Sequence, residues 1–119
     1  MKYMLMIYGN QQTWASFSPE ETAKAIAGQD AFNKKYFESG DLLAAYGLAD
    51  AEQARVVRVR EGQAAVTDGP YLETKEYLAS FCLVDVDSEQ RALEMAAEMP
   101  FAREAGIEVW PVLHEGTQD

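Results

Sequence analysis

From Lys2 to Tyr8 the chain is almost continuous in apolar and aromatic side chains, and Gly9-Asn10 ends the run. Such a stretch predicts a central strand covered on both faces. A polar loop is expected next, up to Phe17. Ser18-Pro19-Glu20-Glu21 then carries a helix start: a capping serine, proline at the first helical position and glutamate three residues after the cap. The helix should run to about Glu38 and stop at Gly40. Asp41 to Leu48 reads as a second strand, ending near Gly47. Arg55-Val-Val-Arg-Val-Arg60 alternates with period two, which predicts one wet face. Glu61-Gly62-Gln63 turns it into a partner strand, Ala64 to Thr67. A long apolar strand from Tyr77 to Val86 follows. Asp87-Ser88-Glu89-Gln90 caps a second helix, with Ala92, Leu93, Ala96 and Ala97 as its expected apolar stripe and Pro100 as its barrier. Ile107 to Leu113 makes a last strand, and Pro111 argues for an edge or a bulge.

The order is β-α-β, a β-hairpin, then β-α-β. Two helices cannot cover both faces of such a sheet. The expected fold is α+β and ferredoxin-like, with an inserted β-hairpin and both helices on one face. The other face should then be bare, carrying residues drawn from Tyr3, Met4, Tyr8, Phe81 and Leu83. A monomer rarely exposes an apolar patch of that size, so sheet-to-sheet pairing into a dimeric α+β barrel is expected. Residues 1–114 form the single domain, and 115–119 a frayed tail.

Composition narrows the partners. The chain has 119 residues, 48% hydrophobic, with 20 acidic and 10 basic side chains and a formal net charge of −10. One domain of ordinary globular make-up fits these figures. The negative balance repels phosphates and anionic lipid heads, so neither nucleic acid nor a membrane surface is expected as a partner. No apolar run approaches the ~20 residues needed to span a bilayer, and the N-terminal segment lacks a leader's cleavage site. A cytoplasmic protein is expected. The single Cys82 rules out an internal disulfide and any cysteine-cluster metal site; it falls within an apolar strand, as a small core residue would.

The chemistry gathers at Asp68-Gly-Pro-Tyr-Leu-Glu-Thr-Lys-Glu76, where a turn signal and four charges of both signs meet the long strand. Loops fixed to a rigid scaffold are where binding and catalytic groups concentrate. A carboxylate beside an ammonium can serve as a proton-transfer pair, which makes Asp68, Lys75 and Glu76 the candidate catalytic residues. Glu73 joins Tyr8 and Tyr46 as candidate ligand contacts, since hydroxyls at strand ends can orient a ligand. Each of these also has a structural reading: a turn with hinge ion pairs worth ~0–1 kcal/mol, and aromatics that fill a dimer interface. Gln29 and Asn33, one helical turn apart between Ala25, Ile26, Phe32, Tyr36 and Phe37, could meet a ligand or simply bond locally. His114, the lone histidine, stands near the frayed end. No metal-ligand spacing is visible, no glycine-rich phosphate loop exists, and no cofactor is implied.

Val66-Thr-Asp-Gly-Pro-Tyr-Leu-Glu-Thr-Lys-Glu-Tyr-Leu-Ala-Ser-Phe-Cys-Leu-Val-Asp-Val86 resembles the signature of the YCII-related superfamily. More narrowly it is similar to the DGPF-domain branch, written D-G-P-F-x-E-T-K-E-x-L-x-G-F. The opening strand, the Ser18 helix start and Ile107-Glu-Val-Trp-Pro-Val112 fit as well. Tyr71 replaces the usual Phe, Ser80 the usual Gly, and Trp110 a common Arg before Pro111. The resemblance implies a ferredoxin-like homodimer. It also suggests a small organic ligand and cofactor-free proton transfer of isomerase, lyase or dehydrohalogenase type. The alternative it offers is a regulatory module linked to an extracytoplasmic-function sigma factor. A His–Asp pair proposed in another branch cannot be carried over, because the first helix has no His and Met99 precedes Pro100.

Overall fold

Alternation along the first strand decides which side of the sheet is core. In β1, Lys2–Gly9, the residues Tyr3, Leu5, Ile7 and Gly9 are buried while Met4, Met6 and Tyr8 are only half-buried. β1 is central: it pairs antiparallel with β5, Tyr77–Asp85, on one side and with β6, Ile107–Pro111, on the other. β2, Leu42–Gly47, closes the far edge beside β5, giving the order β2-β5-β1-β6. This is the order that a ferredoxin-like β-α-β-β-α-β core produces. The protein is described by a computed structural model covering residues 1–69 and 76–117.

Helix α2, Pro19–Ser39, starts as its sequence predicts. Ser18 Oγ accepts from the Glu21 amide at 3.1 Å, and Glu21 Oε1 accepts from the Ser18 amide at 3.1 Å. Gly40 ends the helix in the left-handed conformation. α3, Glu89–Glu98, is capped by Ser88. Both helices feed the core formed by Tyr3, Leu5, Ile7, Leu42, Cys82 and Val84, so both lie on one face of the sheet. Burial pushes the Cys82 thiol up to about 11, which leaves it a neutral, inert core group.

Four expectations are corrected. Tyr3 is in phase with Leu5 and Ile7 and is buried in the core, not on the bare face. The expected loop after Asn10 contains a short helix, α1, Gln11–Ala15, because the Asn10 side chain accepts from the Thr13 amide at 2.8 Å. The buried stripe of α3 is Ala92, Met95 and Ala96, continued by Met99; Leu93 and Ala97 are exposed. The hairpin of β3, Arg55–Arg60, and β4, Gln63–Asp68, has both faces largely in solvent instead of one. On α2, Phe32 and Tyr36 are buried, whereas Ile26 and Phe37 are exposed.

The two helices are tied by charge around a buried phenol. The Tyr36 hydroxyl donates to Glu98, Lys35 Nζ donates to Glu98 Oε1 at 3.0 Å, and Arg91 Nη2 donates to the Tyr36 oxygen at 3.3 Å. The Tyr36 hydrogen bond, followed by Lys35 and Arg91, holds the Glu98 carboxyl below the ordinary glutamate value. A carboxyl depressed in the fold contributes stability that is fully present above its unfolded value and lost as pH falls through the folded one. Wild-type protein should therefore lose stability below about pH 4.3 more steeply than Glu98→Gln does. Urea midpoints between pH 6 and 3 check this, and parallel curves for the two proteins would refute the tie.

Candidate functional site

The bare side of the sheet is built from two cross-strand rows. Ala44, Leu83, Met4 and Trp110 stand opposite one another across the four strands, and Tyr46, Phe81, Met6 and Glu108 form the next row. These side chains share the face that the helices do not cover. Tyr46 and Trp110 are each more than half exposed, and the Tyr46 ring tilts against Phe81 at 5.5 Å between centroids.

At one end of this face lies a cleft of about 330 Å³ lined by Tyr8, Glu76, Gly106, Ile107 and Glu108. Its position follows from the strand ends. β1 reaches Tyr8 just where β6 begins, and the Tyr8 amide donates to the Gly106 carbonyl at 3.3 Å. Glu108 is held from its far side, accepting the Trp110 Nε1–H at 2.7 Å. The cleft thus offers two carboxylates and a phenol, groups able to accept and donate protons, beside an apolar sheet.

The predicted site residues divide accordingly. Tyr8 and Glu76 share the cleft. Asp68 does not line it. It ends β4 opposite Arg55, its Oδ1 is 3.7 Å from Arg55 Nε, and its side chain is 92% exposed. A surface pair of that kind contributes little. Tyr46 stands on the bare face in the row of Glu108. Glu73 and Lys75 lie outside the described residues. Glu108 and Trp110 were not singled out as site residues; alternation along β6, with Ile107 and Val109 packed against the core, is the signal that places them on the other face.

Other features carry less chemistry. Gln29 Nε2 donates to Asn33 Oδ1 at 2.9 Å, so these two polar groups bond to each other, and Gln29 Oε1 is buried without a partner among the described residues. His114 is exposed. Larger hollows of about 760 and 440 Å³ exist. The first lies between α2 and the segment after α3, over Phe17, Gly28, Pro100 and Phe101, and the second among the carboxylates of Asp41, Asp85, Asp87 and Glu94. Neither is lined by a described residue of the Asp68–Glu76 motif, so the candidate site is not the largest hollow. Among the described residues no His, Cys, Asp and Glu side chains group as metal ligands, and no helix is long and apolar enough to cross a membrane.

The fold and face define a small α+β protein with an antiparallel sheet, helices on one side and a cleft on the other. The YCII-related domain matches residues 1–115, and the chain belongs to that family. A protein of Rhizobium meliloti (strain 1021), itself uncharacterised, is 32% identical over 99 residues, covering 83% of this chain and 80% of that protein.

Proposed function

We propose that the protein is a DGPF-type member of the family that works as a homodimer, sheet face on sheet face as an α+β barrel, and binds a small organic ligand in the Tyr8–Glu76–Glu108 cleft. The observation that carries this reading is the cleft itself, where a motif carboxylate meets a strand-end phenol beside an apolar sheet. The chemistry that suits it best is cofactor-free proton transfer. Glu76 accepts a proton from a carbon next to a carbonyl, and the electron pair moves onto the carbonyl oxygen as an enolate. Tyr8 orients that oxygen by hydrogen bonding, and Lys75, on the sequence reading, supplies the countercharge. Where a double bond is conjugated with the enolate, return of the proton from Glu76 to the far carbon gives isomerisation; expulsion of a β-leaving group gives elimination. With Asp68 paired to Arg55 on the hairpin, the role of base falls to Glu76.

A second reading draws on the same bare face: a different protein covers it, and the chain is a non-enzymatic interaction module, as the sigma-factor resemblance suggests. A thermal-shift screen against aromatic acids, lactones and quinols separates the two. A ligand at a hundredfold excess over Kd should stabilise the wild type by about 2.7 kcal/mol. Glu76→Gln should retain binding to within a few fold yet lose turnover by at least a hundredfold, and Tyr8→Phe should weaken binding. Turnover unchanged in Glu76→Gln refutes the proton-transfer reading; a screen with no hit favours the interaction module.

A further inference from the structure

The β3–β4 hairpin is built as an amphipathic ribbon whose apolar side is largely exposed. In its register Val57 stands opposite Val66 and Val59 opposite Ala64, so these four side chains share one face; Arg58, Ala65, Arg60 and Gln63 occupy the other. Val57, Val59 and Val66 are 62%, 68% and 63% exposed. Among the described residues the ribbon's principal contacts are between its own two strands. A two-stranded hairpin alone is marginally stable in water, and three adjacent exposed valines mark a surface that is meant to be covered. The chain's radius of gyration, 16.4 Å, exceeds the roughly 13.5 Å expected for a ball of this length, as an arm reaching beyond its own body requires.

Charge says what covers it. Arg55, Arg58 and Arg60 against Glu61 and Asp68 give the arm one net positive charge, leaving eleven net negative charges on the rest of a chain whose total is −10. Three of the ten basic residues thus lie within six positions. The body of this protein is itself an acidic surface with an uncovered apolar face, and a second copy presents both features together. We infer that the β3–β4 arm of each protomer packs its valine face against the body of the other, so that the dimer is held by exchanged arms as well as by stacked sheets. The contact is self-complementary, as a two-fold interface must be. Arg55 shares the valine face, at its base beside Asp68, while Arg58 and Arg60 on the opposite face carry the arm's positive charge. This rests on the reading of the protein as a homodimer.

Sedimentation equilibrium and amide hydrogen exchange test the arm separately from the dimer. Val57→Asp/Val59→Asp should raise the dimer Kd at least tenfold with an unchanged circular dichroism spectrum, since both positions are exposed in one protomer. Amides of residues 56–67 should lose protection in that variant and on dilution of the wild type, while β1 and β5 stay protected. A double variant that dimerises within twofold of wild type overturns the arm exchange and leaves the dimer standing. So does an arm equally protected in a monomeric Phe81→Glu protein. A wild type that is monomeric at every concentration overturns both.

Discussion

Gly9→Ala is expected to destabilise the protein by about 1–3 kcal/mol, although alanine is ordinarily the better strand residue by roughly 0.5 kcal/mol. A methyl group built on Gly9 stands 2.0 Å from Trp14 Cζ2 and 2.6 Å from Cη2, well inside contact. The indole has little freedom to withdraw. It packs edge-on against Phe17 at 6.1 Å and Phe101 at 5.6 Å, two rings that stack on each other at 6.1 Å. Its backbone is fixed by the Asn10 cap, which also accepts from the Thr13 hydroxyl at 3.1 Å. Either α1 lifts from the end of β1, or β1 bends away beneath it. Both movements disturb Tyr8, the residue before Gly9 and a wall of the cleft. Urea unfolding of Gly9→Ala, Trp14→Leu and the double variant checks the cause. If the clash is responsible, Gly9→Ala should cost less than about 1 kcal/mol once the indole is gone; an equal cost in both backgrounds refutes it.

The same corner shows why some of the fold was legible in the sequence and some was not. The capping box at Ser18–Glu21 and the stop at Gly40 are local devices, written in consecutive residues, and α2 begins and ends where they say. The strands were legible because runs such as Lys2–Tyr8 have no alternative use. α1 was missed because five residues cannot display a helical period, and its one signal, Asn10 three positions before Thr13, resembles any polar loop. The inward side of α3 was misjudged where leucine seemed a safer core residue than methionine. The core takes Met95 and Met99, flexible side chains that fill irregular space. Alternation settles which of Tyr3 and Met4 faces outward: period two from Leu5 and Ile7 puts Tyr3 inside.

For the proposed site, the sequence marked a charged stretch of chain without its geometry. Glu76 and Tyr8 lie more than sixty positions apart, and only antiparallel pairing of β1 with β5 brings the strand ends together, Gly9 opposite Tyr77. Glu108 enters from a third strand. Asp68, close to Glu76 in sequence, belongs with Arg55 across the hairpin. Charge density in the sequence therefore pointed to a motif, while register decided which of its members meet.

Phe81→Glu should convert the proposed sheet-to-sheet dimer to a monomer, raising its Kd at least a hundredfold while leaving the protomer folded. Phe81 sits mid-sheet on the bare face, half-buried, between Met6 on β1 and Tyr46 on β2. In a single protomer a carboxylate there can still reach water, because Tyr46 beside it is largely exposed. Between two stacked sheets it loses that water and gains no cation, since its row offers Tyr46, Met6 and Glu108. Burying an unpaired charge costs several kcal/mol, and each 1.4 kcal/mol is tenfold in Kd. Sedimentation equilibrium measures the shift, and a Kd within threefold of wild type would remove the sheet face from the interface. The monomer made in this way answers one more question. If it still binds a ligand found by the thermal-shift screen, the Tyr8–Glu76–Glu108 cleft is complete in one chain. If binding disappears while the protomer stays folded, the second copy supplies part of the site, and the exchanged arm is the segment to search for it.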